Sequence, residues 1–357
     1  MVWVKGELLS EITAPGVDPT RKLTREAQGR LFDRREWFEM ILKHMPVMTP
    51  IIARASSEGS LVWLCLARTG GKVTSLSNWY TMAFKPVYSG EADDVRHRQM
   101  LTAIARRLSE ARPRVSSITL STVPREDGTA ALLMRAFRKG GWIVRSEQSS
   151  TSWTADVAGL TFEEYWAARP GQLRSTYKRR LPKAAFETQI FDYFDENAWE
   201  DYVSVYSESW KPSEGSPAFL RDLAEQEGAS GCLRIGICRI DGRAVAAQFW
   251  TVENGRALIH KLAHRESAKE FSPGTILSAA MFRHVIDVDD VHTIDFGTGN
   301  DPYKAEWMDS SAPLDTVHAY NPRSIEGVVG AAKSGLSELV RRARTALQGR
   351  STKFIQD

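Results

Sequence analysis

The first half of the chain switches between helical and extended patterns of apolar residues. Residues 31–45 and 95–110 carry apolar side chains near the i, i+3, i+4 spacing of an amphipathic helix. Between these segments, residues 61–68 and 71–81 read as strands that are joined at a Gly70–Gly71 turn. A further strand, helix and strand follow, so this half predicts an α/β unit.

The second half repeats that order after a helical insert. Residues 232–265 read as three strands, joined at Asp241–Gly242 and at Asn254–Gly255, which are typical hairpin turn sequences. A helix is predicted over 273–286, with Pro273 in its first turn, and a strand over 291–297. We interpret the two series as a weak internal duplication of one α/β unit.

These patterns predict four segments. Residues 1–30 are polar, contain proline and lack periodicity, so we expect a loosely attached N-terminal arm. The first unit is expected over 31–157 and the second, catalytic unit over 158–321. Residues 322–357 are expected to form a basic amphipathic C-terminal helix.

The composition is that of a globular protein, with 42% hydrophobic and 25% charged residues among 357. No apolar run reaches the roughly 20 residues of a membrane span, and residues 1–29 lack the apolar core of a signal peptide, so we expect a cytoplasmic protein. Cys65, Cys232 and Cys238 show no metal-ligand spacing and the histidines form no HExxH pattern, so we expect no metal.

Polar residues gather where the strand over 291–297 ends. Asp295 is followed by Gly297 and Gly299, and then by Tyr303 and Lys304. Open α/β sheets bind ligands at the carboxyl ends of their strands, and glycine allows close approach of a ligand or a positive φ. The segment therefore indicates either a ligand site or a tight turn.

Two segments resemble a known family. SPGTILSAAMFRHVI, at 272–286, is followed by IDFGTGNDPYKAEW, at 294–307. This order resembles the acetyltransferase-like family of the cellulose-biosynthesis protein CelD, within the GNAT superfamily and related to the FemAB peptidyltransferases. In that family a D-F-G-x-G strand leads to Y-K-x-x-W, and a basic helix with R-x-x-x-R-R-L is loosely matched by Arg174–Leu181. The resemblance implies two GNAT-like units with mixed central sheets flanked by helices.

The resemblance also implies transfer of an acyl group from a thioester, usually acyl-CoA, to an amine. Tyr303 is then a candidate acid for the leaving thiolate, and Lys304 a candidate partner for the oxyanion or a phosphate. His260 and His264 are four residues apart on a predicted strand and hence on one face, and they are base candidates together with Asp295. A histidine in the core or on the surface is the alternative for each.

The donor site is expected at the start of the helix over 273–286. Arg265, Ser272, Gly274 and Thr275 are the candidates for holding the CoA phosphates there. Typical acetyltransferases have a glycine-rich loop at this place, whereas this chain has a single glycine. Aminoacyl-tRNA, which the FemAB relatives use, is therefore the alternative donor.

Two further groups are candidates for substrate binding. Asn78, Trp79 and Tyr80 resemble the wall of a groove, the alternative being a strand with core aromatics. Arg174 and Lys178 lie on one stripe of a segment with five basic residues among ten, which indicates either phosphate recognition or a solvated face.

The C-terminal segment carries one apolar stripe and basic residues on other faces. This pattern is typical of a helix on an anionic membrane surface and equally of a terminal helix packed on its own domain. The apolar stripe consists of Ile325, Val328, Val329, Ala332, Leu336, Leu339, Val340, Ala343 and Leu347.

These features predict an acyl-CoA-dependent N-acyltransferase that acts on a hydrophobic or envelope-bound amine. A sphingoid base, in a ceramide-synthase-like reaction, is the favoured acceptor, and peripheral contact with the inner membrane would suit it. The alternatives are a FemAB-like transferase that uses aminoacyl-tRNA and a non-catalytic subunit of envelope polysaccharide biosynthesis.

Overall fold

The structure, a computed structural model, describes residues 4–14, 16–45 and 47–336. The chain divides into two compact units. The first contains residues up to Ser149 and from Leu314 onwards, and the second contains Ser150–Pro313. The sequence placed the first boundary near residue 157 and assigned residues 314–321 to the second unit.

Groups of strands are separated by one or two helices along the chain. The strands are β1 (Lys5–Leu9), β2 (Thr49–Ser57), β3 (Ser60–Thr69), β4 (Lys72–Ser75), β5 (Val87–Ser89), β6 (Ser117–Pro124), β7 (Ile143–Asp156), β8 (Phe186–Phe191), β9 (Leu233–Ile240), β10 (Arg243–Glu253), β11 (Arg256–His264), β12 (Thr293–Thr298) and β13 (Ser310–Tyr320). The helices are α1 (Arg35–His44), α2 (Asp94–Glu110), α3 (Thr129–Lys139), α4 (Phe162–Ala167), α5 (Gly171–Arg180), α6 (Glu196–Ser207), α7 (Pro217–Ala229), α8 (Pro273–Asp287) and α9 (Lys304–Trp307).

The first unit has a mixed sheet in the order β1-β2-β3-β4-β6-β13, with β5 on β3. Strands β4 and β6 are parallel, whereas β13 runs antiparallel to β6. Alternate residues of β3, such as Val62 and Leu64, join a core with apolar residues of α2 and α3, because successive side chains of a strand point to opposite faces.

The N-terminal segment is packed into the first unit. Strand β1 pairs with β2 over its whole length, and Val17 and Leu23 are fully buried. The indole of Trp63 donates a hydrogen bond of 2.6 Å to the carbonyl oxygen of Val17. The expectation of a loosely attached arm was therefore wrong. The contacts that hold this segment come from β2 and Trp63, which are distant in the sequence and which the local pattern could not reveal.

The second unit has a mixed sheet in the order β7-β12-β11-β10-β9-β8. Phe249 of β10 packs on α6, while its neighbour Trp250 packs on Phe282 of α8, so helices cover both faces. The predicted hairpin turns are confirmed. Asp241–Gly242 and Asn254–Gly255 all have positive φ, as a two-residue turn of this type requires.

Residues 325–336 form the described part of the C-terminal helix. This helix packs through its small residues, Gly327 and Ala331, while its large apolar residues face outward. Ile325 is 86% exposed and Leu336 is 65% exposed. The rest of the predicted helix, residues 337–357, lies outside the described residues. Within the described part of the chain, no helix has the length and apolar character that crossing a membrane requires.

Candidate active site

The opening between β11 and β12 is the centre of the candidate site. Within the described residues, these parallel strands pair from Arg256↔Thr293 to Leu258↔Asp295. Beyond that point β12 stays with β7, since Thr298 pairs with Ser152. Strand β11 continues to His264, so its last six residues leave the partner strand and border an opening.

A β-bulge changes the direction in which the side chains of β11 point. Phe249 of β10 pairs with Lys261 and the next residue, Trp250, pairs with Ile259, so His260 is the extra residue. The imidazole of His260 stacks on Phe249 at 5.1 Å, whereas Nδ1 of His264 lies 3.3 Å from the position that a Cβ on Gly274 would take. The two histidines therefore face different surroundings, and the expectation that they share one face was wrong.

His260 is poorly suited to take up a proton. Burial, assisted by the charge of Lys261, lowers the pKa of His260 to about 3. Its Nε2 lies 2.9 Å from Oγ1 of Thr251. The imidazole is thus neutral throughout the physiological range and too weakly basic for general base catalysis.

Asp295 shapes the turn that follows β12. Its Oδ1 accepts a hydrogen bond of 2.9 Å from the backbone N–H of Gly297, and Oδ2 lies 3.5 Å from Nη1 of Arg256. Gly297 has a φ of 67° and Gly299 a φ of 131°, so both glycines are required by the backbone conformation. The segment thus forms a tight turn that also borders the opening.

Lys304 and Tyr303 have different environments. The ammonium group of Lys304 donates to the carbonyl oxygens of Thr298, at 2.6 Å, and Phe296, at 3.1 Å, and only 5% of the residue is exposed. These bonds hold the end of β12. The ring of Tyr303 lies against Phe296 at 5.7 Å, and burial raises the pKa of its phenol to about 12, so the hydroxyl stays protonated.

The donor candidates lie where β11 leads into α8, but Arg265 is occupied elsewhere. Its guanidinium donates to the carbonyl oxygen of Ala244 and to Ser204 Oγ, both at 2.7 Å, and forms an ion pair with Glu208. Arg265 therefore ties the end of β11 to α6, and the structure gives it no position on a phosphate.

The other donor candidates form the start of α8. Ser272 adopts a left-handed φ of 53° and its carbonyl oxygen accepts hydrogen bonds from the N–H groups of Thr275 and Ile276. Gly274 leaves room for the ring of His264. A helix N-terminus at the end of a strand attracts phosphate through its N–H groups and dipole.

The loop at 208–216 contributes residues that the sequence analysis missed. Trp210 packs on His264, with ring centroids 4.3 Å apart, and Glu214 forms an ion pair of 2.7 Å with Lys261. Between these contacts, Nζ of Lys211 lies 5.5 Å from the centroid of the Trp210 ring. The local sequence resembles an ordinary helix end, so no local pattern could have placed this loop along β11.

Lys211, in this loop, has a lowered pKa. Burial is the main cause, and the charges of Lys261 and Lys304 add to it, so the pKa of Lys211 falls to about 8. Asp301 and Glu214 oppose this change. Lys211 thus experiences charges from both sides of the opening between β11 and β12.

The predicted groove residues belong to the first unit. Oδ1 of Asn78 accepts hydrogen bonds from the N–H of Tyr80 and the hydroxyl of Thr81, which makes it part of a turn. Tyr80 is buried, as the core alternative expects, whereas Trp79 is 56% exposed. These contacts identify no substrate.

The predicted phosphate ligands belong to α5 of the second unit. Arg174 and Lys178 are exposed on the same stripe of this helix, and Nε of Arg174 donates to the carbonyl oxygen of Arg169. Leu173 is the inward-facing apolar residue of α5. The helix therefore presents a solvated basic face.

A separate group lies at the opposite end of β11 from His264. The ligand atoms of Glu227, Cys232 and Glu253 are within 4.8 Å of one another. The sequence analysis found no ligand spacing for Cys232, because its two neighbours here come from other elements. This group takes no part in the opening between β11 and β12.

Comparisons with known proteins bear on the fold and on the family of the second unit. A family model for the acetyltransferase (GNAT) domain matches residues 171–305. A search of the curated proteins finds no match. FemX is 12% identical, with a TM-score of 0.59 over 90% of this chain and 100% of FemX. L-PGS from Bacillus licheniformis is 12% identical, with a TM-score of 0.53 over 92% of this chain and 98% of its own.

A tandem GNAT protein from the clavulanic acid biosynthesis pathway is also similar in fold. It is 13% identical, with a TM-score of 0.51 over 88% of this chain and 98% of its own. The range matched by the family model contains α8, both strands of the opening and Tyr303. The second unit thus matches the acetyltransferase (GNAT) domain over residues 171–305, which supports an acyltransferase, and the fold is mixed α/β.

Proposed function

We propose that the protein transfers an acyl group from acyl-CoA to a primary amine in the opening between β11 and β12. The observation that carries this proposal is the separation of the two strands after Leu258 and Asp295, next to the start of α8. A strand that leaves its partner presents backbone N–H and C=O groups that an extended ligand can use. The GNAT domain over residues 171–305 supports this assignment.

The reaction needs donor binding and a group that protonates the leaving thiolate. Ser272, Gly274 and Thr275 bind the CoA phosphates at the start of α8. The amine attacks the thioester carbonyl carbon, the C–S bond breaks, and Tyr303 donates its proton to the thiolate. The phenol of Tyr303 carries this proton before the reaction, since burial raises its pKa to about 12.

His264 is the base in this proposal. Burial lowers its pKa from the usual value, so the imidazole is neutral at physiological pH and can accept a proton from the incoming ammonium group. Its contacts with Trp210 and Gly274 lie beside the proposed donor site. Lys304 supports the site by holding the end of β12 rather than by contacting the oxyanion.

A long-chain amino lipid, such as a sphingoid base, is the acceptor that we propose to test first. The support is the outward apolar face of residues 325–336, together with the basic residues of the longer sequence segment 322–357, which would suit an anionic membrane surface. A ceramide-synthase-like reaction would then take place on peripheral contact with the membrane.

Release of free CoA thiol from acetyl-CoA and palmitoyl-CoA tests the function, with sphinganine and its 3-keto form among the amines. Tyr303→Phe is expected to lower kcat about 10²-fold, the lower end of the range for general acid catalysis. Its melting temperature should match that of the wild type. If the protein neither binds acyl-CoA nor releases CoA thiol with any of these amines, the proposal is wrong.

Aminoacyl-tRNA is the second candidate donor. The single glycine near the start of α8 and the exposed basic face of α5 favour it. Binding of tRNA should then weaken steeply with salt and depend on Arg174 and Lys178, because each phosphate contact releases counterions. Retention that does not change with salt, or no retention, would exclude this donor.

A further inference from the structure

Three lysines meet at the opening between β11 and β12 without being neighbours in the sequence. Lys211 lies in the loop at 208–216, Lys261 on β11 and Lys304 after β12. The charges of Lys261 and Lys304 both act on Lys211. The loop that carries Lys211 is attached to β11 on either side, through Trp210 on His264 and Glu214 on Lys261.

Two of these ammonium groups already have partners. Lys304 donates to two carbonyl oxygens, and Lys261 is paired with Glu214 and lies over the ring of Tyr206. The ammonium group of Lys211 lies over the ring of Trp210. Burial and the charges of the other two lysines oppose its protonation. An anion that arrives in the opening would relieve this repulsion, since an opposite charge within about 4–6 Å favours the charged form.

We propose that Lys211, supported by Lys261, binds a phosphate-class anion carried by the acceptor substrate. This proposal rests on acyl transfer in the same opening and specifies an acceptor amine with an acidic group nearby, such as a phosphorylated long-chain amine rather than the free sphingoid base. The donor phosphates are assigned to the start of α8, so they do not need Lys211. Trp210 forms the apolar wall next to the anion and keeps the loop on His264.

The charged groups around Lys211 determine its response to pH. Lys261 and Lys304 disfavour its protonation, Asp301 and Glu214 favour it, and His264 is electrostatically coupled to it. Anion affinity should fall as pH rises through about 8, where Lys211 loses its proton. Arginine keeps its charge throughout this range, so Lys211→Arg should retain affinity at pH 9.

Calorimetric titration with inorganic phosphate, phosphoethanolamine and ethanolamine tests the proposal on the intact protein. We expect phosphoethanolamine to bind better than phosphate, and ethanolamine to bind weakly. Lys211→Gln should lower the phosphoethanolamine affinity at least tenfold at pH 7. Lys269→Gln is the matched control, because Lys269 is 71% exposed and paired with Glu266, and it should bind like the wild type.

Titration with CoA identifies the source of the anion. CoA affinity that is unchanged in Lys211→Gln supports an acceptor anion, whereas an equal loss of CoA affinity would assign the site to the donor and overturn the proposal. Equal phosphoethanolamine binding by Lys211→Gln and wild type would also overturn it. Failure of the wild type to bind CoA would instead count against the proposed function, so the two failures are distinguishable.

Discussion

Tyr303 and Lys304 are adjacent in the sequence but serve different physical purposes. The lysine side chain turns back into the protein and bonds the last carbonyls of β12, while the tyrosine ring lies against Phe296 beside the opening. Sequence reasoning identified both residues as chemically important. It made Tyr303 a candidate acid and Lys304 a candidate partner for the oxyanion or a phosphate, because it could not show in which direction each side chain points.

Lys304→Met should destabilise the fold. The change leaves the carbonyls of Phe296 and Thr298 without their donor, and an unsatisfied buried polar group costs about 1–3 kcal/mol. Urea denaturation should show a loss of unfolding free energy of that size. The matched change Lys269→Met, at an exposed position, should stay within about 0.5 kcal/mol of the wild type.

His260 should make stability depend on pH below neutrality. Its pKa is about 3 in the folded protein and 6.5 as the reference value, so between these values the unfolded state binds a proton that the folded state excludes. Stability is therefore lost as pH falls from 6.5, by at most about 1.4 kcal/mol per pH unit from this group.

His260→Phe keeps an aromatic ring on Phe249 and removes the titration. Urea unfolding curves at pH 4, 5, 6 and 7 should show a smaller pH slope for this variant than for the wild type. A parallel decline of both proteins would contradict the burial of a neutral imidazole. His284→Phe is the control substitution at a second histidine, whose Nε2 lies 3.8 Å from Oδ2 of Asp289.

At the scale of elements, local patterns account for most helices and hairpins but not for their irregularities. The helical periodicity over 95–110 is confirmed by α2, and the two hairpin turns occur where glycine follows aspartate or asparagine. The bulge at His260 has no such local pattern. It shifts the register of β10 and β11, and it therefore changes which residues of β11 face each side of the sheet.

In the C-terminal helix, the amphipathic pattern did not reveal which face of the helix packs on the protein. Its large apolar residues were consistent with packing on the domain or on a membrane, and the structure packs the small residues instead. A Cβ on Gly327 would overlap the backbone oxygens of Asn321 and Ser116. Close contact between helix and loop therefore requires glycine at this position.

Gly327→Ala should loosen this helix. Because the neighbouring atoms belong to the backbone, overpacking should cost about 1–3 kcal/mol. Val328→Ala, on the outward face of the same turn, should be nearly neutral. Thermal unfolding of the two variants measures the difference, and equal melting temperatures would show that residues 325–336 pack differently from this description.

At the scale of the whole molecule, the first unit is built from two stretches that are separated in the sequence by the second unit. The chain completes the second unit and then returns to the first with β13. Residues Leu314–Tyr320 pair with β6, and Asp315 binds Arg125 and Ser146. Asn321 is fully buried and donates to the carbonyl oxygens of Ser109 and Val115.

A chain that ends at Pro313 should therefore lose the fold of its first unit. Hydrogen exchange should show that β6 is no longer protected, because its β13 partner is absent. A chain that ends at Leu336 keeps β13 and the described helix, and it should retain wild-type protection. Full protection of β6 in the shorter chain would contradict the assignment of β13 to the first unit.

The sequence by itself determined the α/β character, most helices, the hairpin turns and the segment around Tyr303, because these depend on residues close together along the chain. Only the tertiary structure decided the direction of Lys304, the bulge at His260 and the return of β13 to the first unit. It also brought Lys211, Lys261 and Lys304 to one opening. The physical reason is that burial, charge and strand pairing depend on neighbours in space, which local periodicity does not specify.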